Sequence, residues 1–141
     1  LIQNRSRLGL SYEILAGDAR ALPYSGVFDH VLVDAPCTGL GTISRHPEIR
    51  WHRTQDDIVR MAELQGEILA SAANYVSRGG TLVYSTCTIE PEENEQVVEN
   101  FLDSNREFRL DQDSPCPPTV NILPDVDGTD GAYGVRMRKV T

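Results

Sequence analysis

Two cysteines carry the most distinctive chemistry of this sequence, because a thiolate is a strong nucleophile. Cys37 ends the run Asp34-Ala35-Pro36-Cys37, and Cys87 follows Ser85-Thr86. The third, Cys116, lies in a proline-rich stretch. Three distant cysteines match neither a disulfide framework nor the ligand spacing of a zinc site. We therefore expect free thiols in a reducing compartment and no metal site.

Two aspartates and both cysteines come directly after predicted strands. Asp18 follows residues 12–16, Asp34 follows residues 28–33, and Cys87 follows residues 81–85. Ligands of parallel sheets bind at the carboxyl ends of the strands, so these side chains could converge on one rim. Each alone has an ordinary explanation, since aspartate is common in turns and cysteine in cores. Their coincidence favours a site.

The elements between these residues have a helical pattern. A capping-box-like start at Thr54 and Asp57 begins a long helix, which Gly79-Gly80 ends. A second helix is predicted from about Pro91, with acidic residues in the first turn, where the helix dipole favours negative charge. Short and final strands are predicted at 108–110 and 131–140, and a loop at 114–118. The pattern predicts an α/β fold, a mostly parallel Rossmann-like sheet with helices on both faces.

Length and charge limit the possible classes of protein. The 141 residues, 40% of them hydrophobic, predict one domain spanning residues 1–141. The sequence has no apolar run of about 18 residues and no signal-peptide pattern at its start, so we expect a soluble, cytoplasmic chain without a membrane partner. The net charge of −8 opposes tight RNA binding by this chain alone, although basic residues cluster at 45–53.

Two long motifs resemble those of a known family. Residues 33–41 read VDAPCTGLG, and residues 84–88 read YSTCT, followed by EENE at 92–95. The sequence resembles the RNA cytosine-C5 methyltransferases related to the bacterial Sun (Fmu) ribosomal RNA enzyme and the eukaryotic nucleolar Nop and Sun-domain proteins. Residues 17–20 match the upstream acidic motif of the family. Residues 130–133 match its final strand, with one aromatic residue where two are more common.

The resemblance implies a reaction and a role for each residue. Cys87 would add to C6 of a cytosine in ribosomal or transfer RNA, and C5 would then take a methyl group from S-adenosylmethionine. A base would remove the C5 proton before the thiol leaves, and Cys37 would assist release of the product. Asp18 would lie near the adenine of the cofactor. Asp34 would lie near its methionine portion and could accept a hydrogen bond from the cytosine amine.

The usual cofactor loop of such methyltransferases is not found before Asp18. Gly39-Leu40-Gly41 lacks the third glycine of a dinucleotide fingerprint, and residues 1–10 look like the end of a helix. We therefore expect a partial catalytic domain without its first two strands and its RNA-binding region. Alone, it should be inactive and bind cofactor weakly. It should also either self-associate through an exposed sheet edge or displace residues 1–18.

Three other functions are weighed against this one. An amino-group methyltransferase would resemble Asp/Asn-Pro-Pro-Tyr at residues 34–37, where this sequence has a cysteine. A non-catalytic RNA-binding or assembly module of the same fold is opposed by the paired cysteines, at least in the parent protein. A thiol hydrolase would need a histidine beside Cys87, and none of the three histidines follows a strand end.

Overall fold

β1 (Phe28–Asp34) and β2 (Val76–Thr86) run parallel side by side, and both candidate cysteines follow directly from their carboxyl ends. The computed structural model describes residues 1–140. The other helices and strands are α1 (Ile2–Arg7), α2 (Ile49–His52), α3 (Gln55–Ala73), α4 (Glu95–Ser104), β3 (Phe108–Leu110), β4 (Thr119–Ile122), α5 (Pro124–Asp127) and β5 (Ala132–Lys139).

The crossover between β1 and β2 is α3. It begins as predicted at Thr54, whose side chain accepts from the Asp57 amide while the Asp57 carboxylate accepts from the Thr54 amide. This reciprocal pair satisfies two amides that would otherwise lack partners in the first turn. The helix ends at Ala73, and β2 then passes through Gly79-Gly80. The observed helix is therefore shorter, and the observed strand longer, than predicted.

The sheet is mixed, with the strand order β1-β2-β5-β3 and β4 paired beside β3 on the same edge of β5. Among the strands of residues 1–140, only β1 and β2 pair in parallel, because β5 is antiparallel to each of its neighbours. The predicted α/β sheet is confirmed, but its mostly parallel character is wrong. β4 was not predicted.

Both long helices of residues 1–140 lie on one face of the sheet, whereas helices on both faces were predicted. α3 packs on β1, β2 and α4, and the buried strand residues alternate along β2 and β5, as a sheet covered on one side requires. The core on this face contains Val33, Leu69, Leu82, Tyr84, Phe101, Val135 and Met137. On the opposite face, Leu32 is 68% exposed.

The predicted strand at residues 12–16 does not form. The helix expected near the start of the chain is present as α1, but residues 9–27 contain neither helix nor strand. β1 is the edge of the described sheet, so no neighbouring strand supplies hydrogen-bond partners for residues 12–16. A strand depends on those partners, and its side-chain pattern alone cannot replace them.

A buried carboxylate joins the edge of the sheet to its centre. Asp111, just after β3, accepts hydrogen bonds from Arg136 (3.0 Å) and Arg138 (3.3 Å) of β5 and is 2% exposed. The two guanidinium groups lower the pKa of Asp111, because their hydrogen bonds favour its charged form.

The helix predicted from about Pro91 begins later than expected. Pro91–Asn94 form turns, and α4 begins at Glu95.

Candidate active site

The two predicted catalytic cysteines meet at the carboxyl ends of β1 and β2. The Sγ atoms of Cys37 and Cys87 are 3.2 Å apart. Asp34 and Ser85 are paired in the parallel register, and the Ala35 amide donates to the Ser85 carbonyl at 2.9 Å. The strands therefore deliver both loops to the same point, as the sequence predicted.

The two thiols differ in environment. Cys37 is half-buried and Cys87 is exposed. Burial, together with the hydrogen bond to the neighbouring thiol, raises the pKa of Cys37 to about 12. Cys37 therefore keeps its proton at neutral pH and can donate it in a hydrogen bond to the sulfur of Cys87. The exposed sulfur of Cys87 is the one that a substrate could reach.

A buried carboxylate lies behind the pair. Glu93, which is fully buried, accepts hydrogen bonds from the Thr38 amide (2.9 Å) and from the Thr38 hydroxyl. It also accepts from the Gln65 side-chain amide of α3 at 2.8 Å, and that amide group bonds the Pro36 carbonyl as well. Thr38 Oγ1 lies 3.1 Å from Thr88 Oγ1. The residue after each cysteine thus belongs to one hydrogen-bonded cluster.

Asn94 holds the second cysteine loop from both sides. Its Oδ1 accepts from Thr86 Oγ1 at 2.6 Å, and its Nδ2 donates to the Thr88 carbonyl at 3.1 Å. Cys87 lies between these two anchored residues. Tyr84 adds a bond from its hydroxyl to the Glu93 carbonyl at 2.7 Å. The loop after β2 is therefore fixed by the turn that precedes α4.

Gly41 allows a close approach of backbones beside the cysteines. Its amide donates to the Cys87 carbonyl at 3.0 Å, and its carbonyl accepts from the Gly131 amide at 2.8 Å. A Cβ at this position would lie 2.7 Å from the Cys87 carbonyl oxygen and nearer still to Gly131. The Gly39-Leu40-Gly41 run thus serves packing between loops, in agreement with its rejection as a dinucleotide fingerprint.

Asp34 lies next to the cysteine pair and borders a cavity. It is exposed at the end of β1, and its Oδ1 accepts from Ser85 Oγ at 3.3 Å. The cavity measures about 670 Å³ and is lined mostly by apolar side chains, including Leu22, Val33 and Ile68. A carboxylate beside an apolar hollow could hold one polar end of a cofactor while the hollow holds the rest.

Asp18 is placed differently from the other predicted site residues. Its carboxylate forms a hydrogen-bonded ion pair with Arg20 at 2.7 Å, and that pairing lowers the pKa of Asp18 to about 2. Among residues 1–140, no hydrogen bond connects Asp18 to Asp34 or to either cysteine. Its neighbours Ala16 and Ala19 line the cavity. The structure thus brings Cys37 and Cys87 into contact and joins Asp34 to Ser85 at the end of β2, whereas Asp18 lies apart from them.

The histidines do not assist either thiol. His46 lies 3.4 Å from Glu48, and within residues 1–140 the hydrogen bond of the Cys87 side chain goes to Cys37. The thiol-hydrolase alternative therefore lacks its base.

Within residues 1–140, no three His, Cys, Asp or Glu side chains are grouped for a metal ion. No helix there is long and apolar enough to cross a membrane.

Basic residues lie beside the first cysteine loop. Arg53 donates from Nε to the Thr38 carbonyl at 3.0 Å, and Arg45 pairs with Asp130. Trp51, on α2 between them, is 80% exposed. The basic cluster noted in the sequence therefore borders the cysteine pair.

Glu93 and Asn94 are functional candidates that the sequence reasoning missed. The sequence predicts Glu93 in the charged first turn of a helix, because acidic residues in a run are usually solvated. The available signal was the proximity of both residues to the second cysteine motif.

Comparison with known proteins gives consistent matches. The family model "16S rRNA methyltransferase RsmB/F" matches residues 1–138. Ribosomal RNA small subunit methyltransferase B of Vibrio cholerae is 43% identical over 140 residues, which are 97% of this chain and 32% of that protein. The chain spans about a third of the length of the curated relatives it matches.

Solved structures show the same fold. NSun6 from Pyrococcus horikoshii, with SFG, has a TM-score of 0.85 at 33% identity, over 99% of this chain and 38% of that one. A methyltransferase homolog protein from Pyrococcus horikoshii has a TM-score of 0.79 at 34% identity, over 99% and 48%. These matches confirm the predicted Rossmann-like methyltransferase fold.

Proposed function

Because the chain belongs to the RsmB/F family of 16S rRNA methyltransferases, we propose that it carries the catalytic cysteines of an enzyme that methylates cytosine C5 in RNA. Ribosomal RNA is the favoured substrate, since the relatives are named for it. The observation that carries the proposal is the 3.2 Å separation of Cys37 and Cys87 at the ends of adjacent parallel strands. An amino-group methyltransferase has no use for such a pair.

Cys87 is the proposed nucleophile because its sulfur is exposed. Its thiolate adds to C6 of the cytosine, and the electron pair shifts to C5. C5 would then take the methyl group of S-adenosylmethionine, whose sulfur would leave as the thioether of S-adenosylhomocysteine. A base removes the proton from C5, and the C6–S bond breaks to restore the ring double bond and the thiolate. Covalent addition replaces one difficult step by several easier ones.

Cys37 is the proposed aid to product release. As the C6–S bond breaks, negative charge returns to the sulfur of Cys87. The thiol of Cys37 keeps its proton because burial raises its pKa, and it lies 3.2 Å from that sulfur. A hydrogen bond to the departing thiolate stabilises the charge where it develops. Without Cys37 the covalent adduct should persist.

S-adenosylmethionine is the proposed cofactor, and it supplies an activated methyl group on a sulfonium. The neighbour NSun6 is described with SFG, an analogue of this cofactor. The residues present fit it in part: Asp34 offers a carboxylate at the mouth of the apolar cavity. Asp18 is the weaker assignment, since Arg20 already occupies its carboxylate. We therefore assign Asp34 to the methionine portion or the cytosine amine, and Asp18 to the adenine side.

RNA binding by the chain itself should be weak, because its net charge of −8 opposes contact with phosphates. We propose that the isolated chain also binds cofactor weakly, methylates no RNA and self-associates through the unpaired edge of β1. The free thiols suit a cytoplasmic location. Sedimentation of the isolated chain with and without S-adenosylmethionine tests the self-association and the weak cofactor binding. A monomer that binds the cofactor at micromolar concentration would contradict both.

The two cysteine variants should fail in different ways. In the full-length protein, Cys87→Ala should abolish transfer of tritiated methyl groups to RNA, whereas Cys37→Ala should accumulate a protein–RNA adduct that survives denaturing electrophoresis. Cys116→Ala is the matched control, because Cys116 is an exposed thiol outside the site, and it should behave as the parent. Normal turnover in Cys87→Ala, or normal turnover without adduct in Cys37→Ala, would refute the corresponding role.

A further inference from the structure

Glu93 has a buried carboxyl group whose hydrogen-bond partners are all neutral. Its side chain is fully buried, and the donors to it are the amide and hydroxyl of Thr38 and the amide group of Gln65. A carboxylate removed from water is costly unless hydrogen bonds replace its hydration. A glutamine or an apolar residue would avoid that cost, so the position calls for a physical reason.

The direction of the hydrogen bonds supplies the reason. The Glu90 amide donates to Thr88 Oγ1 at 3.3 Å, and Thr38 Oγ1 donates to Glu93. The hydroxyl proton of Thr38 is thus committed, so across the 3.1 Å contact Thr88 must donate to Thr38. The chain of donors runs from the Cys87 loop through the Cys37 loop and ends on the carboxylate. Such a chain needs a terminal group that only accepts, and a carboxylate is that group.

Gln65 fixes the carboxylate from the opposite side. Its amide group donates to both Glu93 and the Pro36 carbonyl at 2.8 Å. Both partners are acceptors, so the orientation of the Gln65 amide is determined by them. Its own Oε1 has no hydrogen-bond partner within residues 1–140. Helix α3 therefore clamps the Cys37 loop and Glu93 together, at the cost of one unpaired acceptor.

We propose that Glu93 is a positioning residue that joins the two cysteine loops and sets the separation of Cys37 and Cys87. Thr38 follows one cysteine directly, Thr88 follows the other, and both hydroxyls depend on the Glu93 carboxylate. Within residues 1–140, the Glu93 side chain makes no hydrogen bond to either sulfur. Its meaning for catalysis rests on the proposed function, but its effect on the distance between the sulfurs does not.

Removal of the carboxylate should let the sulfurs of Cys37 and Cys87 move apart while the hydrophobic core stays folded. Glu93→Ala removes the acceptor of the Thr38 amide, the Thr38 hydroxyl and the Gln65 side-chain amide, and buried donors that lose their acceptor are unfavourable. The loops can relieve this by moving toward water. Glu93→Gln keeps the volume and can still accept two of the three bonds, but its amide must reverse the hydroxyl chain. We therefore expect a graded series in which Gln retains more of the pair than Ala.

Phenylarsine oxide measures the separation directly. Its arsenic condenses with two thiols to form two As–S bonds and release one water, and the ring closes readily only when the sulfurs are near neighbours. Mass spectrometry of the native chain should find one arsenical per protein, bridging Cys37 and Cys87. Glu93→Ala should slow this capture by about tenfold to a hundredfold, in line with the cost of misplacing reacting groups by about 1 Å. Glu92→Gln is the matched control, since within residues 1–140 the partly buried Glu92 side chain makes no hydrogen bond, and it should react at the parental rate.

A milder variant tests the proposal in case Glu93→Ala does not fold. Thr38→Val has nearly the same shape but lacks the hydroxyl that connects Glu93 to Thr88, and it should also slow capture while circular dichroism stays unchanged. If Glu93→Ala does not fold, Thr38→Val and Glu93→Gln decide the question. Capture at the parental rate by these variants would overturn the proposal.

The methylation assay separates this inference from the proposed function. In the full-length protein, Glu93→Gln should reproduce part of the adduct accumulation expected of Cys37→Ala, with little change in the KM for RNA. A merely destabilised protein would lose adduct and product together, and that result would count against a positioning role. If the parent captures the arsenical but transfers no methyl group, the proposed function fails and the role of Glu93 in the pair stands.

Discussion

The raised pKa of Cys37 makes its reactivity distinguishable by pH from that of a thiol with the ordinary pKa. Burial is the largest cause of the increase from 9.0 to about 12. At pH 8, a thiol with a pKa of 9.0 is about one-tenth thiolate, whereas a pKa of about 12 leaves about one part in ten thousand. Because the thiolate is the reacting form, Cys37 should be alkylated about a thousandfold more slowly than an unshifted thiol.

The assay is alkylation of the native protein with iodoacetamide at pH values from 7 to 11, followed by peptide mass spectrometry. The rate at Cys37 should rise about tenfold for each pH unit over this whole range, since the titration lies above it. Cys116, which is exposed, serves as an internal reference for reagent quality. Unfolding in guanidinium should abolish the protection of Cys37.

A second variant divides the increase in pKa between its causes. Cys87→Ala removes the hydrogen-bond partner but leaves the burial of Cys37 largely intact. The pH profile of Cys37 should therefore keep most of its displacement. A Cys37 profile that levels off near pH 9 in the parent would refute the reasoning, because the thiol would then be no harder to ionise than one in water.

Three further predictions concern the surroundings of the pair. Asp111→Ala should lower the free energy of unfolding by about 2–4 kcal/mol in urea titrations, because two arginines of β5 lose a buried partner; a change below about 0.5 kcal/mol would contradict this. Gly41→Ala should destabilise the protein by about 1–3 kcal/mol and slow arsenical capture, since its Cβ would strike the Cys87 carbonyl; parental values for both would show that the loops yield freely. Hydrogen peroxide should convert the Cys87 thiolate to a sulfenic acid, which the Cys37 thiol attacks with loss of water, and a Cys37–Cys87 disulfide should appear on peptide mapping; overoxidation of Cys87 without a disulfide would oppose the 3.2 Å contact.

The sequence was sufficient for the features that depend on local pattern. The capping box at Thr54 predicted the start of α3, and the strands before Cys37 and Cys87 followed from short apolar runs. Parallel neighbours place their carboxyl ends together, so the meeting of the two cysteines could also be predicted. The strand predicted at residues 12–16 is wrong for the opposite reason, because an apolar run forms a strand only beside a neighbouring strand, which residues 1–140 do not provide.

The sequence pattern could not predict the buried hydrogen-bonded cluster around Glu93, because a run of acidic residues normally stays in water. Glu93 is buried, whereas Glu92 and Glu95 in the same run are only partly so. Composition and helix dipole cannot distinguish these three. The difference arises only when the turn after β2 is folded against the loop after β1 and the Thr38 donors face one carboxylate.

Gln65 is the residue from which the cluster could have been inferred. It lies seven positions from both Ile58 and Ala72, and four before Leu69, so it occupies the buried stripe of α3. A polar side chain at such a position must find partners, since an unpaired amide in the core is costly. The partners must come from the segments that the helix packs against, which include β1, β2 and α4 with the loops that join them. A polar break in the apolar stripe of a crossover helix therefore points to the strand ends where the chemistry lies, and here it leads to Pro36 and Glu93 and through them to both cysteines.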